Sequence, residues 1–422
     1  MARRWRRRGV PRLRGSSGAL VLASAVIATS CTGTDSEVRV GTLPERFGPV
    51  VESPSVPNLM FDEVPAALPQ TNGASGFHML THTSSGYLAF GFDSDSGTAE
   101  RSAVWRSDDL RRWERTGRSL GALSGRQEVR AVAGTGRELI AVGGQRDELG
   151  TAESERAKAW FSEDGGNQWT PADLGGLELQ HSGLIAVVEV AGGPLAVGSM
   201  VTPSGQRDAI VLRTEDGGHS WRREPLSHAE GISFAPVAAV ADGDEVLVTG
   251  RRVNAADGSR VAMVWRSTDG GATWYTEDLP EGTSSGPAVL TDGRAVVLGS
   301  AGATTLAWTS VDGGPWQLVR SDVFARPAGE AVRPTAITRH GRCLYAIGAA
   351  ALDGQESYEA TNLAWRSCDG GATWLDLGYT VNAKDGLREN EGIASTPAGV
   401  VILGWTLQDT SQEPRLTRIL TG

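Results

Sequence analysis

Lysine is nearly missing from this chain: only Lys158 and Lys384 occur among 422 residues, so arginine carries almost all of the positive charge. Cysteine is as scarce. Cys31, Cys343 and Cys368 are the full set, too few for a disulfide-framework mini-protein or a multi-cysteine zinc site. No apolar run reaches the roughly 18 residues of a membrane-spanning helix. No phosphate-binding glycine loop or serine-nucleophile elbow occurs, and no cofactor is expected. Glycine (55) and tryptophan (13) are plentiful in a chain that is 40% hydrophobic. That balance suits many short strands joined by tight turns. The length implies either several domains or one large closed repeat.

The net charge of −10 conceals an asymmetry. Arg3, Arg4, Arg6, Arg7, Arg8, Arg12 and Arg14 crowd the first fourteen residues; taking those seven positive charges from −10 leaves −17 on the rest. An acidic body with scattered arginines lacks the basic stripe that nucleic acid requires, so no nucleic-acid partner is expected. After the arginines come the apolar run Ala19–Thr29 and then Ser30-Cys31. This is the layout of a signal peptide over residues 1–30. The small residues before Cys31 resemble the lipobox of bacterial lipoproteins, which implies a lipidated Cys31; ordinary cleavage nearby and an uncleaved anchor are the alternatives. Residues 31–58 mix Pro, Gly, Ser, Thr and charge without periodicity and read as a tether. The expected location is the outer face of the cytoplasmic membrane, with the lipid as the only membrane contact and a monomeric chain.

One motif recurs: SEDGGNQW (162–169), TEDGGHSW (214–221), STDGGATW (267–274) and SCDGGATW (367–374), with shortened copies SDDLRRW (107–113) and SVDGGPW (310–316). The terminal tryptophans are spaced 56, 52, 53, 42 and 58 residues apart, a period that suits one four-stranded propeller blade. The Asp-Gly-Gly centre supplies positive-φ turn positions, and the Asp can accept turn N–H groups. The motif resembles the Asp-box, or BNR, repeat of sialidases and related propellers, over roughly 77–422. That resemblance implies a structural role for Asp109, Asp164, Asp216, Asp269, Asp312 and Asp369, on the face away from any active site.

Each box follows an apolar strand, preceded by another that ends near a glycine: YLAFGF (87–92), LIAVGG (139–144), LAVGS (195–199), VLVTG (246–250), VVLGS (296–300), LYAIG (344–348) and VVILGW (400–405). Seven such strands against six boxes leave the last unit one strand short. Phe61–Pro69 looks like the missing fourth strand. The expected fold is therefore all-β: a seven-bladed propeller over residues 59–422, built of four-stranded antiparallel blades and closed by residues 61–69. Cys343 and Cys368 fall at neighbouring strand ends of blade six and are expected to form a disulfide; two buried thiols are the alternative.

The working face of such a propeller lies opposite the boxes. The loops 93–102, 144–158, 254–259 and 352–361 vary and are polar, as recognition loops or as plain solvated ones. His78, Arg130, His181, His228, Arg333, Glu389 and Glu391 precede or open the first strands and are the candidate ligand-binding residues. Asp93-Ser94-Asp95-Ser96-Gly97 resembles the start of a calcium loop but lacks its later ligands, so no metal is expected. Two functions stay open: a non-catalytic binding or assembly scaffold for a protein or glycan, in blade count like the photosystem-assembly factors, and a glycoside hydrolase of sialidase or xyloglucanase type. The early sialidase motif Phe/Tyr-Arg-Ile-Pro is absent from residues 70–80, and only Tyr379 stands near a place where a tyrosine nucleophile is tolerable.

Overall fold

Short segments, mixed buried and half-exposed in the first strands and continuously buried along much of the second and third, are punctuated by Gly-Gly and Asp-Gly turns and fold as antiparallel hairpins. In the computed structural model these hairpins make a seven-bladed β-propeller of four-stranded antiparallel sheets. The structure describes residues 61–64, 66, 75–93, 101–116, 126–134, 136–146, 155–175, 181–224, 226, 231–325, 330–352, 361–378, 387–408 and 411–419. The segments 1–30 and 31–58, with Cys31, lie outside them, as do 65 and 67–69.

Blade one runs Ser75–Thr83, Gly86–Asp93, Arg101–Ser107 and Glu114–Arg115, from the innermost strand outwards. Five more blades repeat that order. Blade seven takes its first three strands, Leu387–Thr396, Gly399–Gln408 and Ser411–Ile419, from the end of the chain and its fourth, Phe61–Val64, from near the beginning. Phe61 pairs with Ile419 and Val64 with Leu416. Arg418 Nη2 reaches Asp62 at 2.6 Å, and Arg415 pairs with Glu63. The predicted closure is therefore seen for residues 61–64, which cover the edge that the third strand, Ser411–Ile419, would otherwise expose.

The core lies between blades. Among the described residues seven hydrophobic clusters form, and each is shared by one pair of neighbouring blades. Val64, Leu403 and Leu416 of blade seven pack with Phe77 and Trp105 of blade one, which seals the ring. Trp105, Trp160, Trp265, Trp308 and Trp365, all from third strands, are fully buried.

The Asp-Gly-Gly turns join third to fourth strands. In the second blade Asn167 N and Gln168 N donate to Asp164 Oδ1, Gly166 N donates to Ser162 Oγ, and Trp169 Nε1 donates to the Gly166 carbonyl. The same scheme holds around Asp216 and Asp369; around Asp269 the Asp and Ser bonds are kept, but Trp274 Nε1 has no acceptor among the described residues. In the first blade, Asp109 accepts from Arg111 N and Arg112 N, although Leu110 takes the positive-φ position. The fifth copy departs from the scheme: Asp312 itself has φ +48, and its N–H donates to the Gly293 carbonyl. The turns also latch adjacent blades, since Arg213 Nη2 donates to the Gly270 carbonyl and Arg294 Nη1 to that of Asp369. Cys343 and Cys368 are joined as a disulfide, with Cα atoms 4.1 Å apart.

Candidate functional site

In blades one to six the first–second hairpin and the turn from third to fourth strand share one face of the disc, because the strands alternate in direction. The starts of the first strands, and the links from second to third strands, share the other. On that other face every first strand carries a bulge. Phe77 pairs with Gly91 and Met79 with Phe90, so His78 is the extra residue. The same shift leaves out Arg130, Ile185, Val237, Thr335 and Glu391, and in blade five sets Gly286 and Pro287 against one partner. A bulge re-aims a side chain that the regular pleat would direct elsewhere. Six blades thereby aim one side chain into two neighbouring cavities.

The larger cavity, of ≈ 630 Å³, spans blades one, two, six and seven and includes His78, Arg130, Thr335 and Glu391. His78 Nε2 lies 2.7 Å from the Val129 carbonyl. A carbonyl only accepts, so Nε2 carries the proton. Burial draws the His78 pKa below its ordinary value, against the opposing pull of that hydrogen bond; the ring is neutral and its Nδ1 is an acceptor. Arg130 sits between two carboxylates, 2.8 Å from Glu128 Oε2 and 2.6 Å from Glu155 Oε1. Burial pushes the Glu128 carboxyl up, but the hydrogen bond and charge of Arg130 outweigh it and hold the pKa below the usual range. Glycine makes room for this group: a Cβ on Gly183 would stand 2.6 Å from Glu155 Oε1 and 2.8 Å from Arg130 Nη1.

Two donors in the same wall are unspent. Asn390 Nδ2 is buried without an acceptor, and so is Arg146 Nε, whose nearest carboxylate oxygen, Glu155 Oε2, is 3.7 Å away. Buried polar groups are rarely left unpaired, and an orphan at a cavity wall calls for a ligand or a water. Phe92 adds an aromatic surface, and Trp405 Nε1 donates to Glu391 Oε1 at 3.0 Å.

The seven candidates from the sequence divide accordingly. His78, Arg130 and Glu391 come together at the larger cavity. His181, with φ +54, lines the second cavity, of ≈ 440 Å³, which Arg130 also borders. Arg333 is exposed and lines neither. Glu389 lies in the first strand of blade seven, paired with Trp405. His228 lies outside the described residues, as do Tyr379 and loop segments 94–100, 147–154 and 353–360. Asp93, read as the start of a calcium-like run, pairs with Arg115 at 2.8 Å.

Glu128, Glu155, Arg146, Asn390, Phe92 and Thr335 were missed, although a signal for the ring was present. In all seven blades the residue just before the bulge pairs with the glycine fourteen positions later, Phe77 with Gly91 through Asn390 with Gly404. Glycine inside a strand marks a bulge or a close backbone approach. Counting back from the seven glycines locates the ring, including its apolar members.

No protein-family profile matches the sequence, and no curated protein matches it. Solved structures do resemble the fold. A protein of unknown function from Dyadobacter fermentans matches 73% of this chain and 98% of its own, at 15% identity and a TM-score of 0.48. A Trypanosoma rangeli sialidase bound to a difluorinated nononic acid matches 85% of this chain and 58% of its own, at 12% identity and 0.47. A GH74 enzyme of Niastella koreensis matches 84% of this chain and 55% of its own, at 13% identity and 0.48. The chain thus spans little more than half the length of the two enzymes, and the likeness reaches the propeller architecture and goes no further.

Proposed function

We propose that this chain is a non-catalytic binding module, an exported and lipid-tethered Asp-box propeller. Its larger cavity takes a neutral, acceptor-rich segment of a glycan or protein. The observation that carries the reading is the pair of unspent donors, Asn390 Nδ2 and Arg146 Nε, at the wall of a cavity where Glu128 and Glu155 are already paired with Arg130. A glycosidase needs one carboxylic acid held protonated beside a second, ionised carboxylate. Here Glu128 is held ionised, and Glu155 is bound to Arg130. Hydroxyl and carbonyl oxygens would satisfy the two donors, and Phe92 offers a face for a sugar ring or an apolar side chain. The disulfide supports an oxidising compartment, as export through the 1–30 segment requires.

The test is a glycan array and a peptide array probed with the purified protein, together with a panel of aryl glycosides. Binding that falls about tenfold or more in Asn390→Ala and in Phe92→Ala, with no turnover, supports the reading. Turnover that disappears in Glu128→Gln or Glu391→Gln would make the chain a hydrolase instead. Palmitate labelling that survives Cys31→Ser would remove Cys31 as the lipid site, and an absence of labelling in the wild-type protein would remove the lipid tether.

A further inference from the structure

Three arginines gather where the third strand of blade three, Arg207–Arg213, meets the second and third strands of blade four, Glu245–Asn254 and Arg260–Ser267. Arg207 and Arg251 line the second cavity. Arg260 stands diagonally from Arg251 on the same sheet face, because Arg251 pairs with Ala262 and Val253 with Arg260. None of the three forms an ion pair among the described residues. Arg207 donates one Nη1–H to Ser199 Oγ at 2.9 Å. Burial lowers the pKa of Arg251, and the charges of Arg260 and Arg207 lower it further.

Such clustering runs against the composition. The chain has ten more acids than bases, and acids are used nearby: Arg252 pairs with Asp278 at 2.7 Å, and Arg130, in the wall of this same cavity, pairs with Glu128 and Glu155. Like charges on adjacent strands destabilise a sheet. Arg207 and Arg251 are therefore a fixed positive potential left open to the cavity, and Arg260 reinforces it. Apolar residues share the lining, Ile185, Pro236 and Val237, the last 41% exposed, and the one carboxylate among the described lining residues, Glu155, is bound by Arg130. The volume, ≈ 440 Å³, far exceeds that of a bare oxyanion and falls in the range of small-molecule sites.

We propose that the cavity between blades two, three and four binds a small organic anion, a carboxylate or sulfate group carried on an apolar body. Arg251 and Arg207 hold the oxyanion, and Ile185 and Val237 pack against the body. The two cavities share Arg130 and Glu155, but Arg251, Arg207, Ile185 and Val237 line only the second one, so the proposal stands whether or not the larger cavity binds a glycan or a protein.

The experiment is calorimetric titration of the purified protein with phenyl sulfate, sodium sulfate and phenol. Phenyl sulfate should bind at least about tenfold more tightly than either of the others. Arg251→Gln should cost about tenfold, the scale of one charge-assisted contact, while phenol binding stays unchanged. Phenyl sulfate should raise the Tm of the wild-type protein, and Arg251→Gln at low salt should melt no lower than wild type, because a like-charge repulsion has been relieved. Should Arg251→Gln fail to fold, Arg207→Gln carries the same comparison. Phenyl sulfate bound no better than phenol, or bound equally by wild type and variant, overturns the anion site. Sodium sulfate bound as tightly as phenyl sulfate overturns the organic body.

Discussion

Gly143→Ala should damage the propeller out of proportion to the single methyl it adds. A Cβ there would lie 1.8 Å from the Glu128 carbonyl oxygen, a fixed backbone atom. Restoring an ordinary contact requires the two strands to part by about 1.5 Å, roughly a third of their usual spacing. The Val129–Gly143 pairing that holds the bulge at Arg130 is then lost. Two backbone hydrogen bonds at about 1 kcal/mol each, together with the 1–3 kcal/mol of leaving buried groups unpaired, give a loss of about 3–5 kcal/mol. Urea unfolding with an unchanged m-value measures it. Two neighbours calibrate the result. Gly136→Ala meets nothing within 4 Å and should stay within about 0.5 kcal/mol of wild type. Gly144→Ala meets the Glu155 carboxylate at 2.3 Å, an end that can swing aside, and should fall between the two. A Gly143→Ala protein as stable as Gly136→Ala would refute the bulge argument, and with it the ring of re-aimed residues.

His78→Gln should flatten the stability profile below about pH 6.5. The folded pKa is lowered, chiefly by burial, so stability is complete above the unfolded value and is lost as pH falls, at up to about 1.4 kcal/mol per unit; Tm measured from pH 7.5 to 5 checks it. Val64→Ala should cost about 1.5–3 kcal/mol in denaturant unfolding, because two methyls leave the sealed contact with blade one; a loss under about 0.5 kcal/mol would mean that the closing strand is not docked. Reducing the Cys343–Cys368 bond, which closes a separation of 25 residues, should cost about 3.5 kcal/mol on the loop-entropy scale, read as the difference between oxidised and Cys343→Ser/Cys368→Ser proteins.

The architecture was legible because it is written in repeats. The Asp-Gly-Gly turns and terminal tryptophans count blades directly, and a unit lacking its fourth strand demands one from elsewhere, which Phe61–Val64 supplies. The disulfide followed from the same register. The site was less legible because its members are set by backbone irregularities. Arg333 and Glu389 were chosen for charge, yet the re-aimed residues lie two positions on: Thr335, which was not chosen, and Glu391, which was. Glu155, outside the regular strands, reaches Arg130 by a fold-level approach that spacing along the chain does not encode. Ile185 and Val237 were passed over because apolar residues at strand starts read as core.

The repeating glycine and the varying ring residue divide their tasks, and that division can be tested within one blade. In blade six Gly348 is held by backbone geometry: a Cβ would meet Trp365 Cη2 at 2.6 Å and the Arg333 carbonyl at 2.7 Å. Thr335, the bulge residue, is exposed at the cavity and donates to the Ile347 carbonyl at 3.3 Å. Ring positions in the seven blades hold an imidazole, a guanidinium, two aliphatic chains, a Gly-Pro pair, a hydroxyl and a carboxylate. Such variety is tolerable only where packing does not decide the residue. Thr335→Ala should therefore stay within about 1 kcal/mol of wild type, since it forfeits one long, half-exposed hydrogen bond. Gly348→Ala should cost about 3 kcal/mol or more by displacing a fully buried tryptophan and a strand backbone together. Equal losses would mean that ring and scaffold are not separable, and the mouth could then not be read as a surface free to vary with its ligand.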